Sequence, residues 1–227
     1  MTAADGLASG AEFRTYLVER FNLAVRRPGM FGNELGLRLL VDHLLFVERA
    51  PDAWGEQLDS WVEREAWSAT GVAGALRDLI PSGHYGMASM YAEFGRRRGW
   101  LKADRILSAA DYATLRGQVR QWAGEDRVWA DVIAAFGSPS VLFGGNNPYY
   151  GKTLGYLTED ADEPMVFFDL WNGTAPGAET AWPPEHEQPL LLAVRFGDGP
   201  FRDTFTFTPS GQRLRPTSRE GDVSAGL

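Results

Sequence analysis

The chain has 227 residues, 44% hydrophobic and 23% charged, which is enough apolar material for a globular core and too much for a disordered chain. It has no cysteine, so disulfides, thiolate catalysis, iron–sulfur clusters and cysteine-ligated zinc are excluded. The net charge of −8 argues against general nucleic-acid binding, which needs a surplus of cations. No run approaches about 18 apolar residues and no signal-peptide pattern opens the chain, so no membrane span and a cytosolic location are expected.

Residues 1–8 read as a loose end. Ser9 and Glu12 then have the spacing of a capping box, and Phe13, Tyr16, Leu17, Phe21 and Ala24 recur on one helical face behind it. Arg26-Arg-Pro-Gly29 stops that helix, because proline cannot continue it. A second helix is predicted over 34–49. Its leucines, with Val41 and Phe46, wrap more than one face, which predicts a nearly central helix with His43 satisfied inside the core. Asp52 is placed to cap a third helix carrying Trp54, Leu58, Trp61 and Val62. Further helices are predicted over 72–80, over 85–98, from Ser108 through Trp122, and around Val128–Phe136. Gly137 and Pro139 end the last one. The run Arg96-Arg97-Arg98 falls at a helix C-terminus, where cations offset the helix dipole.

Beyond Pro139 the pattern changes. "SVLF", "TLGYLTED", "MVFFDLW", "PLLLAVRF" and "TFTFTP" are short, β-branched or aromatic, and separated by turn residues. No helix-length pattern lies between them, so the sheet should be mainly antiparallel. "NGTAPGAETAWPPEHEQP" is a long proline-rich loop of the kind that often carries function. From about residue 212 the tail reads as loose. Together these elements predict an α+β protein in a single domain. Its helical half covers about residues 9–137, with six or seven helices, and packs on one face of a sheet of four or five strands over about 138–211.

Gly151-Lys152-Thr153 invites comparison with a phosphate-binding loop, which needs a glycine five residues before Gly151 and a helix after it. That position is Asn146, Pro148 has no N–H to donate, and the following residues read as a strand. The stretch reads instead as a connector or recognition loop. Tyr149 and Tyr150 offer apolar area with a hydroxyl, and Asn146, Asn147 and Lys152 add polar contacts. In "FFDLWNG", strand alternation sets Phe167, Asp169 and Trp171 on one face, with Phe168 and Leu170 on the other, and Asn172 follows. A carboxylate among aromatics can have a raised pKa, yet no second acid accompanies Asp169. The three histidines, His43, His84 and His186, show no metal-ligand spacing. No catalytic residue, cofactor or metal is expected.

"RRPGMFG" resembles the R-P-G-M-[FY]-G opening of a group of bacterial proteins, some of which look like immunity proteins of polymorphic toxin systems. "WADVIAAFGSPSVLFGG" and "FFDLWNGTAPG" are similar to segments of uncharacterised actinobacterial chains of comparable length. The negative charge, the abundant aromatics and the lack of a catalytic constellation, together with this resemblance, lead to the expectation of a non-enzymatic protein of the immunity type that binds a protein partner through an acidic surface and the Asn/Tyr loop. The alternative is a small-molecule-binding protein or enzyme, with an aromatic pocket between helices and sheet lined by Asp169, Trp171, Tyr149, Tyr150 and Lys152. A structural or oligomer-forming role is the third reading, which several exposed tryptophans on one face would favour.

Overall fold

The computed structural model describes residues 9–81, 83–177 and 182–216. Its helices come first and its strands last, as the α+β reading requires. In chain order they are α1 (Gly10–Arg26), α2 (Asn33–Glu48), α3 (Ala53–Glu63), α4 (Gly71–Arg77), α5 (Gly83–Arg97), α6 (Ala109–Trp122), α7 (Trp129–Phe136), β1 (Val141–Phe143), β2 (Lys152–Tyr156), β3 (Val166–Trp171), β4 (Leu190–Arg195), β5 (Phe205–Phe207) and α8 (Pro209–Leu214). No described helix is long and apolar enough to cross a membrane.

Local chemistry accounts for the helix ends. The capping box at α1 is formed: the Glu12 amide donates to the Ser9 hydroxyl at 3.3 Å, and the Ser9 amide donates to the Glu12 carboxylate at 2.7 Å. Pro28 begins a short 3-10 turn, and Gly32, at φ 82°, supplies the left-handed step that starts α2. Ser108 caps α6 through the Asp111 amide. At α7 the cap is the Asp131 carboxylate, which accepts from the Val128 amide at 2.9 Å.

The five strands form a meander in the order β1-β2-β3-β4-β5, every neighbouring pair antiparallel. One irregularity interrupts it. Asp169 pairs with Ala193 and Leu170 with Leu191, so Leu192 is the extra residue of a bulge in β4.

Helices cover both faces of this sheet, not one. On the first face Phe143, Phe167, Ala193 and Phe205 join a core with α1–α5, including Phe21, Leu37, Trp61, Tyr91 and Trp100. On the second, Leu154, Tyr156, Phe168, Leu170 and Val194 meet Tyr112, Leu115 and Val119 of α6 and Val132 and Phe136 of α7. The strand sequences carry the reason. β2, β3 and β4 are buried at nearly every residue, so neither face can be left to water.

Three further expectations are corrected. α2 is peripheral: it buries Leu37, Val41, Leu44 and Leu45 but leaves Leu35, Leu39, Phe46 and His43 in solvent. The predicted loose tail contains α8 up to Leu214, which lies so close to β4 that a Cβ on Gly211 would sit 1.8 Å from the Leu192 carbonyl oxygen. Residues 1–8 and 217–227 lie outside the described residues. The arginine run also does more than offset a dipole. Arg96 donates to the carbonyls of Thr158, Asp160 and Glu163 and so holds the β2–β3 turn, while Arg97 donates to Gln57 and Arg98 to Glu48.

Candidate functional site

Gly144–Gly151 connects β1 to β2 and is tied down from three sides. Its base is fixed by the Gly144 amide, which donates to the Arg26 carbonyl at the end of α1 at 2.8 Å. From below comes Lys152. Its side chain is fully buried, and its Nζ donates to the carbonyls of Asn147 at 2.7 Å and Gly145 at 3.2 Å while lying 3.7 Å from the centre of the Trp129 ring. No carboxylate lies within ion-pair distance of it among the described residues. Burial alone therefore pushes its ammonium down to about 8. Carbonyl dipoles and an aromatic face take the place of a counter-ion.

From the side comes Asn172. Its Nδ2 donates to the carbonyls of Tyr149 and His186, both at 2.8 Å, and its Oδ1 accepts from the His186 amide at 3.0 Å. One side chain thereby joins the loop to the segment that leads into β4. Within the loop, the Asn147 Oδ1 accepts from the Tyr149 amide at 3.0 Å, a turn that asparagine makes readily. Trp182 completes the arrangement by meeting the Tyr149 ring edge to face at 5.4 Å.

The outcome is an aromatic surface on a fixed backbone. Tyr149, Tyr150 and Trp182 are 39%, 48% and 53% exposed, with Asn146 and Asn147 also in solvent. Glu185 and Glu187 are exposed on the adjoining segment. The Gly-Lys-Thr triplet opens a strand, and its lysine points into protein carbonyls rather than into a phosphate cradle.

Of the sequence-predicted residues, the fold brings Asn146, Asn147, Tyr149, Tyr150, Lys152 and Asn172 together. It separates Asp169 from them. Lys152 pairs with Leu170 across the sheet, and Thr153 pairs with Asp169, so strand alternation sends Lys152 to the α7 face and Asp169 to the α5 face. Asp169 is 3% exposed and accepts from the Thr153 hydroxyl at 2.8 Å, while its Oδ2 has no hydrogen-bond partner. Burial raises its pKa, opposed by the charge of Arg195 and the Thr153 bond. Trp171, at the end of β3, is half-buried, with its ring beside Gly173. The aromatic pocket expected to combine Asp169, Trp171 and Lys152 with the two tyrosines is therefore not assembled.

An open cleft of about 780 Å³ lies elsewhere, between α3, the end of α5 and the loop after β4. Arg64, Arg97 and Arg98 face Glu56, Glu63 and Asp198 there, so it has no dominant charge. Among the described residues, no three side chains of metal-ligating type gather at one point.

Sequence reasoning missed two members of the loop site. Trp182 lies in the long proline-rich loop, and an aromatic there was a readable signal. Trp129, the ring beneath Lys152, reads from sequence as an ordinary helix residue and carries no such signal. No family model, curated protein or solved structure matches the chain.

Proposed function

We propose that this protein acts by binding another protein, in the manner of an immunity protein, through the surface of Tyr149, Tyr150 and Trp182. The observation that carries this reading is the preorganisation of the loop. A buried lysine, an asparagine bridge and an edge-to-face ring contact hold exposed aromatics in place before any partner arrives. Rigid aromatics of this kind supply contact area at low entropic cost, which is the composition of interface hot spots. The net charge of −8 and the neighbouring Glu185 and Glu187 favour a partner with a basic rim, which would also speed encounter. Arg26–Gly32 resembles the opening of a group of bacterial proteins, some of which look like immunity proteins, and this supports the same class of partner.

Photo-crosslinking tests it. Benzoylphenylalanine placed at Tyr150 should trap one dominant protein in native cells. Placed at Gln118, on the solvent side of α6, it should not. Trp182→Ala should reduce the Tyr150 adduct at least about tenfold, as loss of a hot-spot aromatic does. If position 150 yields nothing, or the same adducts as position 118, the reading fails. The trapped protein should also lose its own activity when mixed with the wild-type chain but not with the Trp182→Ala variant.

A further inference from the structure

The outer face of α2 is apolar where a monomer would be polar. Leu35, Leu39 and Phe46 are 71%, 51% and 82% exposed and stand opposite the buried stripe of Leu37, Val41 and Leu44. Met30, in the turn before the helix, is 75% exposed and extends the ridge. α1 packs beside α2 and buries its inner residues in the same core, so its outer face looks away on the same side, adding Tyr16 and Leu23 at 49% each. Nothing in the helix requires these residues for its own formation, since polar residues form an exposed helical face equally well.

We propose that two copies of this chain associate through α2, packed antiparallel about a two-fold axis near the middle of the helix. Three observations select a second copy as the occupant. The first is area: the six exposed residues present roughly 700 Å² between them, close to one partner's share of a standard interface. The second is charge. Two molecules of net charge −8 repel, and they meet at least cost through a face with no excess of acid. The charges beside this ridge are balanced: Arg38 and Asp42 of α2 are paired at 2.8 Å, and on α1 Arg20 stacks on Tyr16 while Glu19 lies 3.9 Å from Lys102.

The third is self-complementarity. Arg38 stacks on Trp54 of α3 at 3.9 Å, so it and its partner Asp42 lie on the α3 flank of the ridge. A two-fold axis near residue 40 keeps that flank on the same side in both copies while reversing the helix direction. Arg38 of each copy then falls beside Asp42 of the other. Leu35 falls against Phe46, and the two Leu39 side chains lie close to the axis. A ridge whose two ends are both apolar and whose flanking ions exchange partners under this rotation matches itself.

Sedimentation of the full chain between about 1 and 100 µM should show the mass rise from 25.1 kDa to twice that value. Phe46→Glu should weaken association at least about 30-fold, with the circular dichroism spectrum unchanged because the side chain is exposed, and the melting temperature unchanged at concentrations where the wild type is itself monomeric. The absence of native cysteine permits a geometric test. Leu39→Cys, near the axis, should oxidise to a covalent dimer, whereas Leu35→Cys, which faces the other end of its neighbour, should form no covalent dimer on a non-reducing denaturing gel under the same conditions. A mass of 25.1 kDa throughout the range overturns the proposal. So does a Phe46→Glu variant that dimerises like the wild type, or equal cross-linking at positions 35 and 39.

Discussion

The sheet carries a buried charge on each face, and the two are handled differently. On the α5 face Arg195 is 2% exposed. Its guanidinium donates to the Ser89 hydroxyl at 2.6 Å and lies 3.3 Å from Glu93 and 4.2 Å from the Phe167 ring centre, with Asp169 and Thr153 on the same face. Arg195, Ser89, Asp169 and Thr153 are sealed between α5 and the sheet, and Glu93 closes the group at its partly exposed edge. On the α7 face Lys152 stands alone as a cation, and its amine reaches up to two carbonyls of a surface loop. The contrast separates two uses of a buried charge. A sealed polar group rigidifies the interior, and its members depend on one another. A buried amine that reaches the rim converts the rigidity of the sheet into order in an exposed loop.

The comparison can be broken most sharply at Arg195. Arg195→Ala leaves Glu93 without its cation and Asp169 without its nearest stabilising charge. Urea unfolding should show a loss of about 3–5 kcal/mol. A loss under about 1 kcal/mol would mean that the sealed group does not act as a unit.

Lys152→Met should act on the loop rather than on the whole fold. It keeps an unbranched apolar chain of similar length, but removes the cation over the Trp129 ring and both charge-assisted bonds, each bond worth about 1.5–3 kcal/mol. Chymotryptic cleavage at Tyr149 and Tyr150 should accelerate by about ten- to a hundredfold, with a much smaller change in global unfolding. Equal changes in both measurements would refute the local role.

The pH response should differ in sign on the two faces. The pKa of Lys152 is lowered by burial from 10.5 to about 8, so between those values the unfolded chain holds a proton that the folded chain has released. Stability therefore rises with pH across that window, while loop protection falls as the amine loses its charge. Asp169 is shifted upward by burial, so its contribution is complete below the unfolded value of 3.8 and is lost as pH rises through its folded value. Denaturation curves for Lys152→Met should lack the alkaline rise, and those for Asp169→Asn should lack the decline above 3.8. At neutral pH Asp169→Asn should be within about 1 kcal/mol of wild type, because the amide can still accept from Thr153.

The smallest effect on stability belongs to the proposed contact surface. Tyr150→Ala should change unfolding by less than about 0.5 kcal/mol, as exposed substitutions do, while weakening partner binding by about 2 kcal/mol or more. Calorimetry with the cross-linked partner, set beside thermal melts, separates the two.

Much of this molecule was legible in the sequence because it depends on neighbours along the chain. Ser9 and Glu12 are three residues apart, so their capping box needs no tertiary information. Pro28 and Gly137 end helices by backbone geometry alone, and Asn147 makes its turn with Tyr149 two residues away. The order of helices before strands, the antiparallel sheet and the failure of Gly-Lys-Thr as a phosphate loop all follow from such local rules. What only the tertiary structure decided depends on which side of an element meets which neighbour. Leucine in α2 reads the same whether it packs inward, as Leu37 does, or outward, as Leu35 does. Lys152 and Asp169 look like partners in the sequence, but they sit on opposite faces because the register pairs Asp169 with Thr153, one residue further along β2. Trp129 and Trp182 come to the Tyr149 loop from segments about twenty and thirty residues away, and that meeting is set by how the sheet packs on α7 and where the loop before β4 returns. Local propensity chooses the elements, whereas burial of both sheet faces chooses their arrangement, and the exposed aromatic surface of the Tyr149 loop is a product of the second.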